Sequence, residues 1–232
     1  MESMTRKGWA VLVTLLVSTS LASALTLTET ETFNGTPNFL RTLMFDQFDD
    51  QGGTLTLQSI SVSVLLNVQG GQVTLDNDGE EVASGSYEFG GKGDISSTDV
   101  SLLDASFQPV TAEVAALTTG GFNLDANVGD GPGDYDPTPP DGMLISGTSQ
   151  SDSDSGFIAS SLFSQYIGAG TFDIDVSIDQ WADFGGVSGI EWAVTPVTAG
   201  GEVTVVYNYV PEPATMSLLA IGGLVALRRR RK

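Results

Sequence analysis

Five aspartates, Asp125, Asp130, Asp134, Asp136 and Asp141, crowd one glycine- and proline-rich stretch, Asn127 to Gly142 and its flank. Carboxylates at this density suit a hard divalent cation, because calcium takes about six to eight oxygen ligands and a glycine-rich loop can wrap around it. The spacing lacks the alternating aspartate register and the closing glutamate of a helix–loop–helix calcium site. A solvated acidic loop is therefore the simpler reading and calcium the competing one. Asp76-Asn77-Asp78-Gly79-Glu80-Glu81 is a weaker set of the same kind, and Ser151-Asp152-Ser153-Asp154-Ser155 reads as a flexible polar turn.

Other chemistries are narrower still. The chain contains no histidine and no cysteine. A Ser-His-Asp triad, a Cys-His pair and a His-ligated zinc or iron site are thus excluded within it. Two carboxylates at a suitable separation can hydrolyse a glycosidic bond. Of the 29 acidic residues, however, only Glu2 and Glu212 fall outside Leu25 to Val210, so with 27 left some such pair arises by chance. The chain is read as non-enzymatic, with no cofactor other than the calcium candidate. Trp181, Trp192 and Tyr166 could stack on sugar rings, although such aromatics more often fill a sandwich core.

The charge is unevenly placed. Between Leu25 and Val210 only Arg41 and Lys92 are basic, which leaves that segment at −25. Such a surface repels nucleic acid and anionic lipid. It suits solubility first, then divalent cations or a cationic partner.

The remaining basic residues sit at the two ends, where the sequence is most specific. Arg6 and Lys7 precede a short apolar run, Trp9 to Val17, and a small-residue stretch ends in Ala22-Ser23-Ala24. That is the layout of a secretory signal peptide over residues 1–24, cleaved by signal peptidase so that the mature chain begins at Leu25. At the other end, Pro211-Glu212-Pro213 interrupts a strand pattern and holds the chain extended. An apolar run, Ala214 to Leu227, and a terminal Arg-Arg-Arg-Arg-Lys follow. The run is short for a membrane span, yet the arginines fix an orientation with the acidic segment outside.

These three parts in order (the Val-Pro-Glu-Pro-Ala box, Gly222-Gly223-Leu224 and the arginine cluster) resemble the PEP-CTERM sorting domain over about the last tenth of the chain. The resemblance implies that Pro211, Glu212 and Pro213 are a recognition site for an exosortase, a membrane-embedded transpeptidase-like enzyme. It also implies a bacterial envelope rich in exopolysaccharide, and a protein that is anchored or released at the cell surface. Phe45 to Thr56, Tyr166 to Val176 and Glu202 to Tyr209 are similar to exported β domains of the choice-of-anchor E type, which have no established activity.

All these groups depend on the segment between the ends. It alternates with period two from Leu25 onward and is rich in threonine, valine and serine, which predicts an all-β domain, a β-sandwich over residues 25–210. The further strands expected are Gln72–Leu75, Glu81–Phe89, Thr111–Leu117, Gly142–Gly147, Gly156–Tyr166, Thr171–Ile178 and Glu202–Val210. Apolar residues fall on odd positions through Leu55 and Leu57 and on even ones from Ile60 to Val64, so a β-bulge at Gln58-Ser59, or a strand passing there between sheets, is expected. Asn77-Asp78-Gly79 signals a hairpin turn. Ser101–Phe107 and Thr111–Leu117 could each form a turn or two of helix. Asn127 to Gly142 reads more simply as a long surface loop on one sandwich than as a linker between two small domains.

Overall fold

The computed structural model describes residues 23–129, 131–185 and 188–212. The expected signal-peptide helix and the apolar tail helix lie outside these residues. Among them the chain is mostly strand, arranged in antiparallel sheets with one short 3-10 helix, Ser160–Gln165.

Alternation decides which residues face inward. The first sheet contains β1 (Leu25–Gly35), β3 (Leu55–Gln69), β8 (Gln150–Phe157) and β11 (Thr198–Pro211), in the order β1-β11-β3-β8. The second contains β2 (Phe39–Asp46), β5 (Ala83–Ser96), β6 (Val114–Leu124) and β9 (Thr171–Asp183), in the order β2-β9-β5-β6. Ile60, Val62, Val64, Leu66 and Val68 of β3 are buried on one face, as are Phe172, Ile174, Val176 and Ile178 of β9. The two sets belong to a single apolar core shared by both sheets. With three further short strands set aside as continuations of their neighbours, this interleaved order is the connectivity of a jelly roll.

Those three strands form a small sheet of their own. β4 (Gln72–Asn77), β7 (Gly142–Ser146) and β10 (Ile190–Thr195) pair in the order β10-β4-β7. That repeats β11-β3-β8 strand for strand, so the small sheet is the first sheet continued around a corner. The corner depends on glycine. Gly70 and Gly71 adopt φ of 72° and 75°, a left-handed conformation that costs glycine nothing. Gly147 donates its N–H to the Gly71 carbonyl at 3.0 Å.

The expected bulge is present. Asn208 faces Ser59 and Tyr209 faces Leu57, leaving Gln58 as the extra residue. The inserted residue turns the strand over once, so Leu55 and Leu57 pack against the same core as Ile60. Other local expectations are corrected. Asn77-Asp78-Gly79 makes no hairpin, because β4 pairs with β10 and β7 while β5 pairs with β6 and β9. Ser151 to Ser155 is part of edge strand β8 and not a turn. Gly156–Tyr166 ends as a strand at Phe157 and continues into the 3-10 helix. Neither Ser101–Phe107 nor Thr111–Leu117 is helical.

Carboxylates close both seams of the sandwich. On one side Asp152 and Asp154 of β8 accept the N–H groups of Ala115 and Ala112, at 2.8 and 2.5 Å, from β6 and the residues before it. On the other, Glu29 of β1 accepts the Asp46 N–H of β2 at 2.8 Å. Burial raises the Glu29 pKa above the ordinary carboxylate value, although the Asp46 amide pulls it the other way.

Two buried tyrosines tie loops to the core. Tyr166 donates its hydroxyl to the Ser101 carbonyl at 2.9 Å, and Tyr207 donates to the Asp46 carbonyl at 3.0 Å. Burial pushes both phenols far above their ordinary range, and for Tyr207 the charge of Glu29 adds to the effect. Below about pH 10 folded and unfolded chains both keep these protons, so the two groups leave stability unchanged. Above it only the unfolded chain releases them, and stability should fall as pH rises. In an ultraviolet titration of tyrosinate, Tyr166 and Tyr207 should ionise only with alkaline unfolding. Tyr166→Phe and Tyr207→Phe should each remove one tyrosine from that late step, and early reversible ionisation of either would contradict the packing.

Candidate functional site

The sorting box begins inside the first sheet. β11 runs along β3 from Thr198, opposite Gln69, to Pro211, opposite Leu55. Its outer positions carry threonine, valine and asparagine, while Val203, Val205 and Tyr207 are buried, so β-branched and aromatic residues hold the strand to its last turn of the pleat. The Glu212 N–H donates to the Thr54 carbonyl at 2.9 Å, and the Glu212 carboxylate accepts from the Thr56 hydroxyl. Thus Pro211 and Glu212 are docked against β3. Pro213 and the rest of the tail lie outside the described residues.

The signal-peptidase point expected from the sequence is adjacent. Leu25 begins β1 and faces Tyr209 of β11. Ala24 precedes it, exposed, and Ala22 lies outside the described residues. The expected signal-peptidase point and the sorting box are therefore neighbouring strand ends at one end of the first sheet.

The acidic loop lies against the small sheet. Asp141 is buried and its Oδ2 accepts the Val128 N–H at 2.7 Å. The Asp125 N–H donates to the Pro140 carbonyl at 3.0 Å. Asp136 donates its N–H to Asp76 Oδ2 at 3.0 Å and accepts the Thr138 N–H at 2.9 Å. Gly133 donates to Glu191 of β10 at 2.7 Å. Asp134 is exposed, and Asp130 lies outside the described residues. Among the described residues no three acidic groups are gathered as a metal site. The loop is held by carboxylates that accept its own amides; Asp76 of β4 was legible only as part of a separate acidic set, and Glu191 of β10 gave no signal in the sequence.

The aromatic residues do not form one face. Tyr166 is buried in the core. Trp181 lies on the outer side of the second sheet, where its indole N–H donates to Glu88 at 3.0 Å and the Lys92 ammonium sits 3.5 Å from the ring centre. Trp192 is half exposed on β10 and packs on Phe184 with ring centres 5.1 Å apart. Lys92 also forms the one ion pair found among the described residues, with Glu113 at 3.6 Å.

Comparison with known proteins gives one functional match. The family model described as the PEP-CTERM protein-sorting motif matches residues 210–232. That motif marks an exported protein for C-terminal sorting to the cell envelope through an exosortase. No curated protein matches. Among solved structures, an infectious bursal disease virus structure, Gx strain, aligns at 12% identity and TM-score 0.22, over 92% of this chain and 50% of that one. The VP2 subviral particle of the same virus aligns at 11% identity and TM-score 0.20, over 96% of this chain and 54% of that one. The chain spans about half the length of these viral chains. At such scores the strand order itself remains the description of the fold.

Asp141→Ala should cost about 1–3 kcal/mol in urea unfolding, because it removes the buried carboxylate that accepts the Val128 N–H. Asp134→Ala, in the exposed part of the same loop, should stay within about 0.5 kcal/mol. Equal costs would mean that the loop is not held through Asp141.

Proposed function

We propose that this is a non-enzymatic structural protein of the cell surface or extracellular matrix, exported and then sorted through Pro211-Glu212-Pro213. The observation that carries the proposal is the sorting motif at residues 210–232 continuing directly from the last strand of an acidic jelly roll. Support for a structural role comes from composition. With neither histidine nor cysteine, thiol and imidazole chemistry have no residues to use. The strong negative charge favours a hydrated, neutral polymer such as exopolysaccharide as surroundings over nucleic acid or anionic lipid. The choice-of-anchor E resemblance fits the same role, an exported β domain placed ahead of an interchangeable anchor.

The sorting step has a direct test in intact mass. Protein from the membrane and secreted fractions of its own host should begin at Leu25 and end close to Pro211, with or without an attached group. A mass running from Leu25 to Lys232 would leave a plain membrane anchor and sink the sorting proposal.

The competing reading makes the domain a binding module with calcium in the acidic loop. Because the loop carboxylates already accept backbone amides, calcium and magnesium should each raise the melting temperature by the same small amount, through screening alone. A rise of several degrees with millimolar calcium, absent with magnesium and lost in Asp136→Asn, would establish the calcium module instead.

A further inference from the structure

We infer that the fold itself withholds the sorting box, with Thr54, just before β3, and Thr56 of β3 holding Glu212 at the end of the β3–β11 ladder until the end of β11 peels away. The inference rests on the sorting reading above. Three contacts carry it. Pro211 is paired with Leu55, the Glu212 N–H donates to the Thr54 carbonyl at 2.9 Å, and the Thr56 hydroxyl donates to the Glu212 carboxylate. Both Pro211 and Glu212 are only partly exposed.

An enzyme that reads an extended peptide takes it by its backbone edges and its side chains together. Here one edge of the strand is occupied by β3. The recognition carboxylate is occupied as well, by Thr56. Proline supplies no N–H at position 211, so the ladder beyond Val210 depends on the Glu212 amide and on that hydroxyl. Few bonds must break, so the last residues of β11 can open without unfolding the core, where Val205 and Tyr207 remain buried. Thr56 is thus a positioning residue for the motif, and it sets how often the box is free. No linker separates box from domain, so the state of the sheet is read directly at the box.

The test uses the full chain in its own host, pulse-labelled, with loss of the tail-bearing form followed over time. Thr56→Val keeps a β-branched residue in the strand and removes only the donor, and a thermal melt checks that the domain is intact. It should speed processing about threefold to tenfold, the weight of one hydrogen bond to a charged group near the surface. A short Gly-Ser insert between Val210 and Pro211, which moves the box out of the ladder, should speed it at least as much. Equal rates in all three chains, or slower processing in Thr56→Val, would overturn the inference. Hydrogen exchange in the full-length protein reads the docking separately. The Glu212 amide should be protected in the wild type and exchange faster in Thr56→Val, and free exchange in the wild type would overturn the docking. A wild-type chain that keeps its tail removes the sorting reading and this inference with it, while a protected Glu212 amide in that chain would show that the docking itself is sound.

Discussion

The fold must satisfy many carboxylates with almost no cations. Between Leu25 and Val210 there are 27 acidic side chains and only Arg41 and Lys92 to oppose them. Ion pairing cannot serve, so the backbone amide becomes the common partner. Glu29, Asp152 and Asp154 close the two seams in this way, and Asp141, Asp76 and Glu191 secure the long loop. Asp49, Asp50 and Asp104 cap tight turns through the same bond. A charge-assisted hydrogen bond to an amide is about twice as strong as a neutral one. It also uses donors at strand edges and loop ends that would otherwise need water. The acidic surface and the regular sheet order are therefore compatible, because strand edges leave amides free and the carboxylates take them up.

The same bonds help keep the sheets from extending into other molecules. β8 is an edge strand of alternating serine and aspartate, and its inward carboxylates bind across to β6. Inward-pointing charge on an edge is one of the ways in which natural sheets avoid edge-to-edge pairing. β1, at the opposite edge, presents Thr26, Thr28, Thr30 and Thr32 outward, with Thr30 bonded to Thr204 across the ladder at 2.9 Å. Arg41, on edge strand β2, lies over the Phe39 ring at 5.0 Å. Each exposed edge of the sandwich thus carries polar or charged groups.

Much of the fold could be read from the sequence, because alternation is local. β3, β9 and β11 followed from apolar residues two apart, and the bulge at Gln58 from a change of phase. What failed depended on partners far along the chain. Asn77-Asp78-Gly79 has the residues of a hairpin turn, but β4 already has β10 and β7 on its two edges, so the turn instead leads into the other sheet. Ser151 to Ser155 is polar enough for a turn and becomes a strand because β3 lies beside it and the β6 amides await its carboxylates. Trp181, Trp192 and Tyr166 were alike as residue types, yet topology sends one to the core, one to an outer face and one to the small sheet. The sorting box was legible in the sequence, whereas the two threonines that hold it lie about 155 residues earlier, beyond any local pattern (Thr56 to Glu212 is a separation of 156).

Topology then gives the molecule a direction. The start of β1 and the end of β11 meet as Leu25 and Tyr209, so the expected signal-peptidase point and the sorting box lie at one end of the first sheet. β11 has 14 residues, and at about 3.3 Å per residue it carries the chain roughly 45 Å from the sorting box to the glycine corner. Beyond that corner lie the small sheet, Trp192 and the acidic loop. A protein held by its tail therefore presents the small sheet and the loop outward, and keeps the paired strand ends inward. In that arrangement the segment richest in aspartate and glycine stands away from the tail, and the sorting box is the continuation of β11, past the bulge at Gln58. That division follows from strand order alone, because a jelly roll returns its last strand beside its first.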